Sequence, residues 1–191
     1  MEEEMKEMVK RTAVVTLAGV MAAGMLTGCG SKTLDGTKTV ATIDGTDIPL
    51  GIVSLYARQQ QEQTTAMYLS FMGSADNIWD TSDDSGETYG EQAVDSSLKA
   101  VELMYLLKEK AADYNVEITD DEETAIADAA SQFMSDNSEE TIKELGVTED
   151  QVKTLLELRT IQQKIHDSIV AEGNITVSDD EANQSSFTYV S

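Results

Sequence analysis

One cysteine, Cys29, and one histidine, His166, are the scarce reactive side chains in this sequence of 191 residues. A single cysteine excludes an internal disulfide framework and a thiolate metal cluster. His166 lies between Ile165 and Asp167 in a stretch of helical periodicity. A lone histidine there reads as a satisfied or exposed side chain, not as a base. No Ser/His/acid or Cys/His arrangement assembles around it, so no catalytic residue and no cofactor is assigned. A third pattern is acidic. Asp80, Ser82, Asp84 and Glu91 fall at positions 1, 3, 5 and 12 of a calcium-loop frame. That frame needs glycine at its sixth position, where Ser85 stands, and Gly86 comes one place late. The reading is a weak calcium candidate whose ordinary alternative is a solvated loop. Two aromatics of this loop, Trp79 and Tyr89, are expected to tuck onto the core, with anchoring of a peptide partner as the lesser alternative.

The chain carries 36 acidic and 13 basic residues, a net charge of −23. Nucleic-acid binding is excluded, because phosphate neutralisation needs basic clusters and none stands clear of neighbouring acid. The acidity is uneven: net −1 through residue 28, −1 over Cys29–Ala75, −12 over Asp76–Glu123 and −9 over Thr124–Ser191. Apolar residues make up 40%, enough for a core, so acidity does not imply disorder. Aromatics at 5% and a single proline point to helices rather than a sandwich or barrel.

From Thr12 to Thr27 the chain runs TAVVTLAGVMAAGMLT, sixteen uncharged and mostly apolar residues behind Lys10-Arg11. A membrane-spanning helix needs about 20 residues. The segment therefore suits a signal-peptide apolar region. It ends in Leu26-Thr27-Gly28-Cys29, which resembles the lipobox of bacterial lipoproteins. The resemblance implies removal of residues 1–28, diacylation of Cys29 on sulfur, and a lipid anchor at the outer face of the bacterial cytoplasmic membrane. Two acyl chains hold a domain at a membrane at ~0.8 kcal/mol per buried CH₂, with no spanning helix. Read from Met1 the leader is acidic overall; read from Met5 or Met8 it is +2, as export signals require, so translation is expected to start at one of these.

The elements that must position the remaining residues follow. Residues 29–37 are rich in Gly, Ser, Thr and Lys and read as a flexible tether. Lys38–Asp44 alternates as a short strand, Asp44-Gly45 marks a turn, and Thr46–Ile48 forms a return strand. Pro49 then sits at the first turn of a helix expected to run to Met72. Its ends are apolar (Ile52, Val53, Tyr56; then Met67, Tyr68, Leu69, Phe71, Met72), but Arg58–Thr65 is polar all round. Such a stretch bridges solvent or rests on something outside this chain. An acidic loop spans Gly73–Gly90. The next helix, Glu91–Asn115, has so wide an apolar face (Val94, Leu98, Val101, Met104, with Leu103 and Leu106 beside them) that it is expected to be the central, well-buried one. Thr119-x-x-Glu122 and Thr148-x-x-Gln151 are capping boxes for two more helices, with Ile126 and Phe133, then Val152, Leu155, Leu158, Ile165 and Ile169, facing inward. A short helix, Glu139–Leu145, ends at Gly146. Ile175-Thr176-Val177 leads into a third box at Ser178-x-x-Glu181.

The strand-turn-strand VATIDGTDI and the long helix after it resemble the start of the SurA/PrsA family of extracytoplasmic folding factors. The block AVDSSLKAVELMYLLKEKAADYNVEITDDEETAIADAA is similar to that family's long helix, extended link and capped helix start, and NITVSDDEANQSSF repeats the device. The likeness covers about Thr39 to Phe187. It implies a fold that is mainly α: a short strand pair, then an irregular bundle of five or six helices over residues 38–187, with residues 188–191 starting a following domain. It also implies a cradle for unfolded or exported polypeptides, and in the family a parvulin-type prolyl isomerase domain comes next. The parvulin site needs two histidines with an acid or thiol; one histidine and a lipobox cysteine carry none of it over. The expectation is a lipid-anchored chaperone-type domain without its own isomerase site. Its client-binding candidates are Tyr56, Met67, Phe71 and Met72. The alternatives are an N-terminal fragment of an isomerase lipoprotein, or a non-catalytic scaffold or interaction lipoprotein.

Overall fold

A computed structural model describes residues 33–173. Cys29 with its leader, and the segment from Asn174 containing the Ser178 box and Phe187–Ser191, lie outside the described residues. Two strands, β1 (Thr39–Ile43) and β2 (Thr46–Pro49), pair antiparallel with Ala41 opposite Ile48 and Ile43 opposite Thr46. Asp44 and Gly45 both take positive φ (45° and 85°), the geometry of a two-residue turn whose twist matches the flanking strands. Ala41, Ile43 and fully buried Ile48 face the core, and Val40 faces out.

Among the described residues five helices follow: α1 (Leu50–Met72), α2 (Tyr89–Glu109), α3 (Asp120–Asp136), α4 (Glu139–Leu145) and α5 (Glu149–Glu172). The described chain is mainly helical with one two-stranded sheet, as the sequence pattern implied. Pro49 is one place earlier than expected: it closes β2 in extended geometry (φ −73°, ψ 142°) and hands over to Leu50 as the first helical residue. Capping boxes start α2 (Thr88/Glu91), α3 (Thr119/Glu122) and α5 (Thr148/Gln151), each satisfying two otherwise unpaired N–H groups. The first of these was equally present in the sequence, as T-Y-G-E, and sets the start of α2 at Tyr89 instead of Glu91.

Two expectations about burial are corrected. The central helix is α5, which packs against α1, α2 and α3 and buries Val152, Leu155, Leu156, Leu158, Ile161 and Ile165. Complete burial of one such aliphatic side chain stabilises by about 1.5–3 kcal/mol. By contrast α2 buries only Ser97, Val101, Met104 and Tyr105, and leaves Val94, Leu103 and Leu106 exposed. An apolar residue type does not by itself place a side chain inside. At its far end α5 also leaves Ile169 exposed. The second correction concerns length: α2 ends at Glu109, not Asn115. A tight 3₁₀ turn, Ala111–Tyr114, and left-handed Asn115 (φ 54°) redirect the chain. This lays Ala111, Val116 and Ile118 against Ile161 and Ile165 as a second apolar cluster.

Of the tether expected over residues 29–37, the described part is docked onto the domain at Gly36. Gly36 is buried, and its carbonyl accepts from Gly51 N (2.9 Å) and from the Gln151 side-chain amide (2.8 Å). Lys38 O accepts from Leu50 N at 2.7 Å. These carbonyls satisfy N–H groups of the first turn of α1, which has no side-chain cap. The approach requires glycine on both sides: a Cβ on Gly36 would collide with the Gly146 carbonyl, and one on Gly146 would meet Leu34 O at 2.6 Å. Gly146, at φ 66°, also ends α4 in the left-handed conformation.

Candidate functional site

The polar stretch of α1 does not wait for an outside partner. From Arg58 to Thr65 its side chains are mostly half-buried, and Thr65 is fully buried. The Trp79 indole Nε1 donates to Thr65 Oγ1 at 3.1 Å, closing the loop back on the helix. Between α1 and the N-terminal end of α2 lies a groove of about 350 Å³, lined among others by Leu34, Val53, Ala57, Arg58, Trp79 and Val94. Arg58 Nη1 donates to Gln61 Oε1 at 2.7 Å beside it. The Gln59 side-chain Oε1 is buried with no hydrogen-bond partner. The expectation that Arg58–Thr65 is solvent-bridging or rests on something external is thus corrected: Trp79 and the start of α2 cover it.

The apolar end of α1 behaves in the opposite way. Every residue from Ala66 to Met72 is exposed, all round the helix, over about two turns. Phe71 is 82% exposed, Met72 74% and Met67 51%, with Tyr68 and Leu69 also open. The helix stops at Gly73 (φ 74°), whose N–H bonds to Leu69 O. Single exposed hydrophobics are ordinary; five within six consecutive positions form a patch of the kind that marks interaction sites. Met67, Phe71 and Met72 are therefore brought together. Tyr56 is not with them. It lies eleven residues earlier, about 16 Å along the axis, half-buried against the core. The Arg159 guanidinium sits 5.1 Å from its ring centroid, a cation–π contact.

In the acidic loop, the four calcium-frame residues have separate tasks. Asp80 ends a 3₁₀ turn (Ile78–Asp80), and Ser82 bridges to Thr88 in a single antiparallel pair. Glu91 is the capping carboxylate of α2, accepting from Thr88 N at 2.9 Å, and those Thr88 bonds hold its carboxyl below the usual range. Asp84 is exposed. The residue that organises the loop is Asp83, outside the frame: it accepts from Ser85 N (2.8 Å) and from the Gln92 side-chain amide (2.7 Å). Hydrogen bonds from Ser85 depress its carboxyl. Among the described residues no three His, Cys, Asp or Glu side chains group to hold a metal ion. Of the two loop aromatics, Trp79 packs inward as expected and Tyr89, at the start of α2, stays exposed.

His166 is exposed on α5, its Nδ1 3.3 Å from Asp167 Oδ1. A well-formed charged cluster lies elsewhere among the described residues. Lys164 Nζ lies 2.7 Å from Glu122 Oε2 and donates to Glu117 O at 2.7 Å. Glu122 also accepts from Thr119 N at 2.9 Å. Burial works against its charge, but Lys164 and Thr119 outweigh it and hold the Glu122 carboxyl below its ordinary value. The cluster ties the start of α3 to α5 and is not open to a substrate. Sequence reading reached Glu122 as a cap but not Lys164, 42 residues away. No described helix is long and apolar enough to cross a membrane. No protein-family model, curated protein or solved structure matches this chain.

Proposed function

We propose that this chain is a chaperone-type domain, held outside the bacterial cytoplasmic membrane by lipid on Cys29, that binds unfolded exported polypeptide through the end of α1. The observation that carries the reading is the open patch Met67–Met72, presented on a helix whose preceding turns are packed on the chain's own loop. Methionine and phenylalanine side chains there adapt to varied apolar partners, since the thioether is flexible and polarisable. A holding function needs such a surface and no catalytic group. The acidity keeps an apolar-tipped domain soluble.

The test is aggregation of a reduced client followed by light scattering, with prolyl isomerisation of a model peptide measured alongside. The expected result is slower aggregation at stoichiometric protein with unchanged isomerisation. Unchanged aggregation overturns the proposal.

A further inference from the structure

We infer that the end of α1 and the acidic loop after it form one docking surface, and that its occupant is a flexible polypeptide segment carrying Lys or Arg beside apolar residues. The inference rests on the polypeptide-binding reading above and names its substrate class. Two observations place the charge next to the patch. Gly73 turns the chain directly from Met72 into Ser74, whose hydroxyl donates to Asp76 at 2.9 Å. The Trp79–Thr65 bond then brings the loop back to α1 two residues before Met67, with Asp80 adjoining. Asp76, Asp80, Asp84 and Glu87 are all exposed. Between Arg58 and Lys99 the chain contains eight acids and no Lys, Arg or His. The apolar patch therefore sits in a field of a single sign.

That field selects among the occupants an apolar patch could take. An anionic lipid surface is repelled. A second copy would bring two such loops together, and like charges across an interface are unfavourable. The chain's own segment 174–191 holds three acids and no Lys or Arg, so its charge opposes docking there. A basic and apolar segment satisfies both parts at once: its side chains cover Met67, Leu69, Phe71 and Met72 while its cations meet the loop.

The experiment uses the full chain and three fluorescent peptides with the same apolar residues, flanked by Lys/Arg, by Ser or by Asp/Glu. At low salt the basic peptide is expected to bind about tenfold tighter than the Ser-flanked one, and the gap to close at high salt, where screening shortens to a few ångströms. The variant Asp80→Asn/Asp84→Asn/Glu87→Gln removes charges that accept no side-chain hydrogen bond within the loop. It is expected to abolish the preference and keep Ser-flanked binding; Phe71→Ser/Met72→Ser is expected to weaken all three peptides. Equal binding of the three peptides by the unaltered chain overturns the charge-selective class and leaves the polypeptide-binding reading standing. Failure of every peptide to bind overturns both. Capture of anionic vesicles, or dimerisation lost on Phe71→Ser/Met72→Ser, assigns the surface to another occupant and likewise overturns the inference.

Discussion

Trp79 and Thr65 are joined by a 3.1 Å indole-to-hydroxyl hydrogen bond across fourteen residues, and that bond separates the packed part of α1 from its open end. N-terminal to Thr65 the helix is mostly half-buried despite its polar sequence; C-terminal to it the helix is bare despite its apolar one. Thr65→Val keeps the shape and removes the acceptor. It is expected to cost about 1 kcal/mol in urea denaturation and to loosen the acidic loop, read as a red-shifted and more quenchable emission from Trp79, the single tryptophan. An unchanged spectrum and midpoint would show that the bond does not hold the loop.

The junction of Gly36 with Gly51 and Gly146 docks the start of the domain onto α1 and α5. Gly36→Ala places a methyl against the backbone carbonyl of Gly146, a neighbour that cannot swing aside. Overpacking of this kind costs about 1–3 kcal/mol. Denaturant midpoints should drop accordingly, whereas Gly86→Ala, with open space around it but a positive φ of 88°, tests the cost of strain alone.

Acid should weaken the joint between α3 and α5. The Glu122 carboxyl is depressed in the folded chain by Lys164 and Thr119, despite its burial. Its contribution is therefore present above the unfolded value near 4.5 and is lost as pH falls through the lower folded value. Glu122→Gln retains a side chain able to complete the capping box and removes the charge. Denaturation of the two proteins from pH 7 to pH 3 is expected to show a stability gap that narrows below about pH 4.5. A gap of constant size would mean the charge contributes nothing.

Much of this architecture was readable in advance because its signals are local. Asp44-Gly45 dictates its turn, Thr119 and Thr148 their helix starts, Gly146 its helix end, and each depends on neighbours within four residues. What the sequence concealed was tertiary. Val94 is in step with Leu98, Val101 and Met104, and Leu103 and Leu106 widen that apolar face, yet α5 takes the central place and all three stay outside. Arg58–Thr65 looks solvent-facing until Trp79, beyond the helix, folds over it. Gly36 looks like tether because its partners, Gln151 and Gly146, lie more than a hundred residues on. For the candidate surface, Met67, Phe71 and Met72 were found by their composition. Tyr56 shared that composition but is held at the core under Arg159.

The proposed binding surface is the set of exposed side chains at the end of α1. Phe71→Ser/Met72→Ser alters two side chains that are 82% and 74% exposed, so stability should stay within about 0.5 kcal/mol. The deciding measurement is light scattering of a reduced client in the presence of the unaltered chain or this variant, at equal concentration and with matched denaturation midpoints. The unaltered chain is expected to slow aggregation and the variant to lose most of that effect. Equal protection by both proteins, or none from the unaltered chain, contradicts this.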